Sequence, residues 1–360
     1  MEGKMKAQVY YTPEVMKFEE IDIPQIGKDE VLVKVKYCGI CGSDVSYYYG
    51  HSPLGTEDGN GPLVLGHEFS GEVVEVGEIP ASRGLFAVGD RVTCNPVQQC
   101  NACDACAQGK FNLCPNVVVP GVTNNGGFAE YTAMKYTHIY KLPENVSYKD
   151  ASIIEPLACA SYGMKKLDVQ LGDFVVVFGP GAIGNMMVSV AKARGAVVAL
   201  VGIIDFQLEV GKKCGADFVI NVLDQASPYY TGSVKDKVSE LSGGKMADRV
   251  IVPTNAMKAL QDAIDVVAAG GRIVYFGLPG EDDVIKVPAL SSIQSDIDIR
   301  FSWLAPLVWP AAIKAIETGV VDPGKLFTHE FGLDEVEKGI RFMKESDEDK
   351  VKGVIVIDPE

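Results

Sequence analysis

The chain has 360 residues, 47% of them apolar and 22% charged, a composition that suits two globular domains rather than one. Its net charge of −15 argues against a nucleic-acid backbone or an anionic membrane surface as partner, because both recruit basic footprints. No apolar run reaches the roughly 18 residues of a membrane span, and Met1-Glu2-Gly3-Lys4 lacks the apolar core of a signal peptide; a soluble, cytoplasmic protein is expected.

Residues 5–10 and 31–37 read as strands, the second with the alternation of a half-buried strand. Cys38-Gly39-Ile40-Cys41-Gly42-Ser43-Asp44 breaks that pattern with two glycines. Residues 46–61 read as a loop bordering a site, with Tyr47, Tyr48, Tyr49 and His51 as candidates for a pocket wall. Leu63-Val64-Leu65 leads into Gly66-His67-Glu68, and residues 71–77 form another strand. Short strands with glycine turns up to residue 95 indicate an all-β unit of barrel type.

Nine cysteines in a long chain do not look like a disulfide framework. Cys100, Cys103, Cys106 and Cys114 follow the spacing C-x2-C-x2-C-x7-C. Four thiolates close a tetrahedral zinc site at Zn–S distances of about 2.3 Å. Spacing alone leaves an iron–sulfur cluster as the rival. Cys94, Cys159 and Cys214 read as small buried apolar side chains. Residues 124–131 turn into a further strand, and 150–167 has a helical pattern with Asp150 as its N-cap.

The period then changes. Residues 173–178 are a continuous apolar run, as in a strand buried on both faces. Gly179-Pro180-Gly181-Ala182-Ile183-Gly184 follows and opens a helix over 185–194. Strand 197–201, helix 207–214, strands 218–220 and 250–252, helix 256–268 and strand 272–276 continue an alternation that means a doubly wound parallel sheet. In that setting Gly-x-Gly-x-x-Gly is a dinucleotide fingerprint. Gly179 permits the tight turn, Gly181 lets the backbone around Ala182 and Ile183 approach a pyrophosphate, and Gly184 lets the helix pack on the strand. Strand 197–201 ends at Gly202, where an acidic residue for the ribose is usual. The next candidate is Asp205, which would repel a 2′-phosphate; NAD is therefore preferred, with NADP as the alternative. Beyond residue 290 the pattern loosens to a short helix over 309–318 and a last strand over 353–357.

Cys41-Gly42-Ser43-Asp44, Gly66-His67-Glu68, the four-Cys lobe, Glu155-Pro156-Leu157-Ala158 and the glycine turn, in this order, resemble the zinc-containing medium-chain dehydrogenases, most of all their sorbitol (polyol) and threonine dehydrogenase branch. The resemblance runs over nearly the whole chain. It implies an α/β protein with a β-barrel part: a GroES-like catalytic domain from residues 1–155 and 290–360, with a zinc lobe at 94–116, and an inserted Rossmann domain at 156–289. It implies two zinc ions per chain, a structural one on the four cysteines and a catalytic one on Cys41, His67 and Glu68. Glu155 would hold the zinc-bound water or replace it as ligand, and Ser43 would hydrogen-bond the substrate hydroxyl and begin the proton relay. Three protein ligands with an open position is the catalytic form of a zinc site; zinc there lowers the pKa of an alcohol, and nicotinamide takes the hydride.

The activity so implied is NAD(P)-linked interconversion of a secondary alcohol (a polyol, sugar alcohol or related hydroxy compound) and its ketone, by a homotetramer or homodimer. A threonine- or diol-type dehydrogenase is the alternative within the family. A non-catalytic nucleotide- and zinc-binding protein is the alternative of another class. Ser46 stands where relatives often have His, so the outer relay would fall to His51 or a water chain. Arg300 reads as a strand residue, which leaves the substrate-binding Arg of sorbitol dehydrogenases without a counterpart.

Overall fold

The computed structural model describes residues 1–51 and 61–359. Contacts divide the chain into two units, Met1–Pro156 with Phe327–Glu360, and Leu157–Leu326.

The first unit is centred on the strand Glu30–Gly39, whose Val31, Leu32, Val33 and Val35 are fully buried. Burying each such side chain contributes on the order of 1.5–3 kcal/mol, and β-branched residues suit the pleated surface. On one side this strand pairs antiparallel with Glu68–Val76. On the other it pairs with Tyr131–Lys135 along its first half and with Lys352–Val356 at its end. Arg91–Cys94 and Ile139–Lys141 extend the sheet at one edge, and Phe327–Gly332 extends it at the other as a parallel neighbour of Lys352–Val356. A three-stranded sheet of Val15–Asp22, Lys4–Thr12 and Leu63–Val64 shares the same core, around Leu65, Phe69, Phe128 and Met134. The register has a local consequence. Gly39 stands opposite Glu68 across one ladder and opposite Val354 across the other, so three segments distant in sequence meet at the end of Glu30–Gly39.

The second unit carries a six-stranded, wholly parallel sheet in the order Phe218–Asn221, Val197–Gly202, Phe174–Phe178, Ala247–Val252, Val267–Tyr275, Asp298–Phe301. Phe174–Phe178 is buried at every position, as two-faced burial in a doubly wound sheet requires. The strand order reverses on either side of it, which makes its carboxyl end a topological switch point. No described helix is long and apolar enough to cross a membrane.

Some local expectations change. The sequence reading returns the chain to the first unit at residue 290; the contacts place that return at Phe327. The reason is Asp298–Phe301, which adds to the parallel sheet beside Val267–Tyr275, with Arg272 Nε donating to Asp298 at 2.7 Å. Arg300 lies on this edge strand and pairs with Asp298 at 3.0 Å. The helix expected over 150–167 is two helices, Tyr148–Ala151 and Ile154–Leu167. Ser147 rather than Asp150 caps the first, its hydroxyl accepting from the Asp150 N–H at 3.0 Å. The loop expected over 46–61 begins inside the helix Gly42–Tyr48; residues 52–60 lie outside the described residues.

Candidate functional site

Cys41 leaves the end of Glu30–Gly39 in an extended conformation and enters Gly42–Tyr48. That short helix starts here because the Asp44 carboxylate turns back and accepts from the Cys41 N–H at 2.9 Å. The other Asp44 oxygen accepts from the Gly66 N–H at 3.3 Å and stands 3.4 Å from His67 Nδ1. One buried carboxylate thus fixes both segments and faces the imidazole. Gly66 is obligatory at its place: its φ is +87°, and a Cβ there would meet Phe128 at 2.7 Å and Cys38 Sγ at 2.9 Å. Ser43 Oγ lies 3.3 Å from His67 Nε2.

Glu68 opens its strand with its carboxylate 99% buried. Its Oε2 pairs with the ammonium of Lys352, which also donates to the Ile40 carbonyl at 2.9 Å. Its Oε1 is buried with no hydrogen-bond partner, and so is His67 Nδ1, which lies within ion-pair reach of Asp44 but outside hydrogen-bond geometry. Cys41, His67 and Glu68 each bring a donor atom, all within 4.8 Å of one another. Donors bound to one tetrahedral ion at about 2.0–2.3 Å lie roughly 3–4 Å apart, a separation this set approaches. A thiolate, an imidazole and a carboxylate, with an orphaned oxygen among them, fit a zinc ion. The electrostatics agree. Burial pushes His67 down, but Asp44 and Cys41 outweigh it and raise the imidazole well above its ordinary value. For Lys352, burial works downward and the Glu68 and Cys41 charges win, so its pKa is raised. The pocket is thus strongly favourable to positive charge.

Glu155 is buried in the first turn of Ile154–Leu167 and lies outside the 4.8 Å set. His51, the candidate for the outer relay, is exposed.

The four-Cys lobe is a second, local cluster. Cys100, Cys103, Cys106 and Cys114 bring their sulfurs within 4.8 Å of one another, around the single turn Asp104–Ala107. Cys103 and Cys114 sulfurs are 3.8 Å apart, far beyond the ~2.05 Å of a disulfide, and all nine cysteines are free. The Ala102 N–H and the neighbouring Cys114 draw the Cys100 thiol down to about 6, the direction that yields a metal-binding thiolate. Gln99, just before the lobe, is held by buried His138, whose Nε2 lies 2.9 Å from Gln99 Oε1 and whose Nδ1 lies 2.9 Å from Thr137 Oγ1. Burial lowers His138 to about 4.

In the second unit the glycine turn leaves Phe174–Phe178 and opens the helix Ala182–Ala193 with Gly181 as N-cap. Gly179 has φ +111°, and a Cβ at Gly184 would meet the Gly179 carbonyl at 1.8 Å. The first N–H groups of the helix, from Ala182 to Gly184, have no intrahelical acceptor, an arrangement that suits an anion. Asn185, fully buried, braces the turn through Nδ2 to the Pro180 carbonyl at 2.6 Å. At the ribose position a Cβ on Gly202 would meet Pro180 Cγ at 2.4 Å, so no carboxylate fits there. Asp205 opens the helix Asp205–Lys213, and its Oδ1 accepts from Asn221 and Ser227, each at 2.7 Å. Part of the expected ribose ligand is therefore engaged within the protein.

Asp44, Lys352 and Asn185 escape the sequence reading. Asp44 lay inside a quoted motif, and its position three after Cys41 is a capping signal that could have found it. Asn185 follows the fingerprint directly. Lys352 has no signal, being 284 residues from Glu68.

Residues 27–144 match the model of the alcohol dehydrogenase GroES-like domain, and residues 182–318 match that of the zinc-binding dehydrogenases. The sorbitol dehydrogenase of Bacillus subtilis strain 168 is 32% identical over 95% of this chain and 95% of its own. A crystal structure of an E. coli CFT073 protein described as a short chain alcohol dehydrogenase, complexed with NADH, superposes with a TM-score of 0.86 at 31% identity over 98% of this chain and 99% of the other. A crystal structure of a Sinorhizobium meliloti 1021 protein described as a zinc-binding dehydrogenase, bound to NADP, gives 0.88 at 26% identity, over 98% and 99%. With both domain models matched and such relatives spanning its length, the chain belongs to the zinc-containing medium-chain dehydrogenases and is an oxidoreductase.

Proposed function

We propose that this protein interconverts a secondary alcohol of the polyol or sugar-alcohol class and its ketone, with zinc at the centre of Cys41, His67 and Glu68 and NAD as the preferred cofactor. The observation that carries the reading is the convergence of those three donors, with Glu68 Oε1 buried and orphaned, in a chain that also holds a dinucleotide turn. The likeness to a sorbitol dehydrogenase supports the substrate class.

In this reading Cys41, His67 and Glu68 hold the zinc, and Cys100, Cys103, Cys106 and Cys114 hold a second, structural ion. Zinc held there would supply the polarisation that acidifies an alcohol, and a bound nicotinamide would supply the hydride acceptor. Asp44 orients His67 through Nδ1, as carboxylates behind metal-bound histidines do. Ser43, beside His67 Nε2, accepts the proton that leaves the substrate hydroxyl and passes it outward. Glu155 holds a water at the centre or enters as an alternative ligand. The backbone of Gly179, Gly181, Ala182, Ile183 and Gly184 carries the pyrophosphate, and Asp205 disfavours a 2′-phosphate. A homodimer or homotetramer is supported by Phe301, exposed on Asp298–Phe301, the last strand of its sheet among the described residues, and by the exposed Leu290, Ile293 and Leu307 near it in sequence. We place the enzyme in the cytoplasm.

The test is a panel of polyols, sugars, diols and 3-hydroxy amino acids, each run with NAD and with NADP, alongside metal analysis. Nicotinamide reduction with a polyol and two zinc ions per chain is the expected result. Turnover only of a 3-hydroxy amino acid or a simple diol would move the protein to the threonine- or diol-type branch. Cofactor binding without any turnover would overturn the enzymatic reading.

A further inference from the structure

A lysine buried at the first position of a strand, paired with Phe327 across a parallel ladder, is an unusual choice. Lys352 lies on Lys352–Val356 with its side chain 5% exposed, among positions where an aliphatic residue would complete the sheet. A buried ion pair is weak as a stability device, because desolvation offsets the attraction. Its neighbours indicate another use. The ammonium sits between the Ile40 carbonyl, one residue before Cys41, and Glu68 Oε2. The chain keeps room for this pair: a Cβ on Gly39 would meet Glu68 Oε2 at 2.1 Å and Lys352 Cε at 3.2 Å. The two Glu68 oxygens therefore differ. Oε2 is held by Lys352, whereas Oε1 is buried and unpartnered.

We propose that Lys352 is a positioning residue for the metal centre: by holding Glu68 Oε2 it leaves the carboxylate a single oxygen, Oε1, for the metal. The inference rests on the reading of Cys41, His67 and Glu68 as zinc ligands. Charge bookkeeping supports it. A Cys41 thiolate with the Glu68 and Asp44 carboxylates gives three negative groups, which a dication and one ammonium balance. Without Lys352 the carboxylate is free to turn both oxygens to the metal. That fills the position a substrate needs and lowers the electrophilicity of the ion.

The experiment compares the holoenzyme with its Lys352→Met and Lys352→Arg variants by zinc content, by the visible spectrum after cobalt replacement of the catalytic ion, and by kcat and KM. We expect Lys352→Met to keep two zinc ions and to lose intensity in the cobalt bands, as a four-coordinate ion becomes five-coordinate. Its kcat should fall about 10–100-fold, the usual range for groups behind metal ligands, with a smaller change in KM. Lys352→Arg should restore the spectrum and most of the rate. Lys352→Gln keeps an N–H donor without the charge and should shift both readouts in the same direction; it carries the test if the methionine variant does not fold. Wild-type spectra and kcat in the Met or Gln variant would overturn the proposal. So would loss of zinc in proportion to loss of activity, which marks a mere strut. A wild-type enzyme holding only the lobe's ion would fail at the earlier step, the ligand reading itself.

Discussion

The two cysteine-bearing centres of this protein are built in opposite ways. The lobe gathers four identical donors from one short loop, so its geometry is set locally. The centre at Cys41 gathers three different donors from a strand end, a glycine-bound turn and a strand start, and it is braced by a lysine from a fourth segment. The lobe offers four sulfur donors and nothing else, whereas the centre keeps a buried oxygen without a partner. A saturated local site suits stability, and an unsaturated one assembled by sheet register suits chemistry.

Substitutions can break or sharpen this contrast. The largest expected effect is that of Cys41→Ser: turnover should fall on the order of 1,000-fold or more, with loss of several kcal/mol of electrophilic stabilisation. The purified variant should still be folded and hold one zinc per chain. Retained turnover would sink the division of labour. Cys114→Ser should do the reverse. We expect it to lose the lobe's ion and lower the thermal midpoint by on the order of 10 °C, while kcat per folded molecule stays within about three-fold. A kcat that collapsed with the midpoint held constant would show that the lobe is not merely structural.

Gly39→Ala addresses the register on which the centre depends. The added methyl would meet Glu68 Oε2 at 2.1 Å, so about 1–3 kcal/mol of strain is expected. Denaturant melts give the stability change and steady-state assays the activity change. Unaltered kinetics would mean that the Glu68–Lys352 pair can move without consequence. The effect confined to acid conditions concerns His138. Burial holds it near 4, below its unfolded value, so the unfolded chain binds more protons between pH 6.5 and 4. Stability from this group is full above about pH 6.5 and is lost as pH falls toward 4, by roughly 2–4 kcal/mol. His138→Gln should flatten the melting temperature in that window; an unchanged slope would assign the acid sensitivity elsewhere.

How much of this was legible follows the same division. The lobe and the glycine turn are short stretches whose spacing carries the geometry, and both stand as clusters or turns in the fold. The centre at Cys41 could be approached only through resemblance, since nothing in the residues themselves brings Cys41 beside Glu68. Asp205 shows a further limit. Its carboxylate was visible, but the Asn221 and Ser227 that engage it sit at the end of the next strand and in the loop after it. Pro180 closing the side-chain space at Gly202 is likewise a tertiary fact. The domain return was misplaced because Asp298–Phe301 is a short, exposed edge strand with little periodicity of its own.

The position of Lys352–Val356 has a consequence for biosynthesis. This strand leaves the ribosome after all of Leu157–Leu326, yet it must slot between Glu30–Gly39 and Phe327–Gly332. Until it arrives, the nascent chain displays part of a bare ladder rim, the kind of surface that recruits wrong partners. In the proposed reading the cysteine lobe can load its ion while translation continues, whereas Glu68 meets Lys352 only once the closing strand has been made and seated.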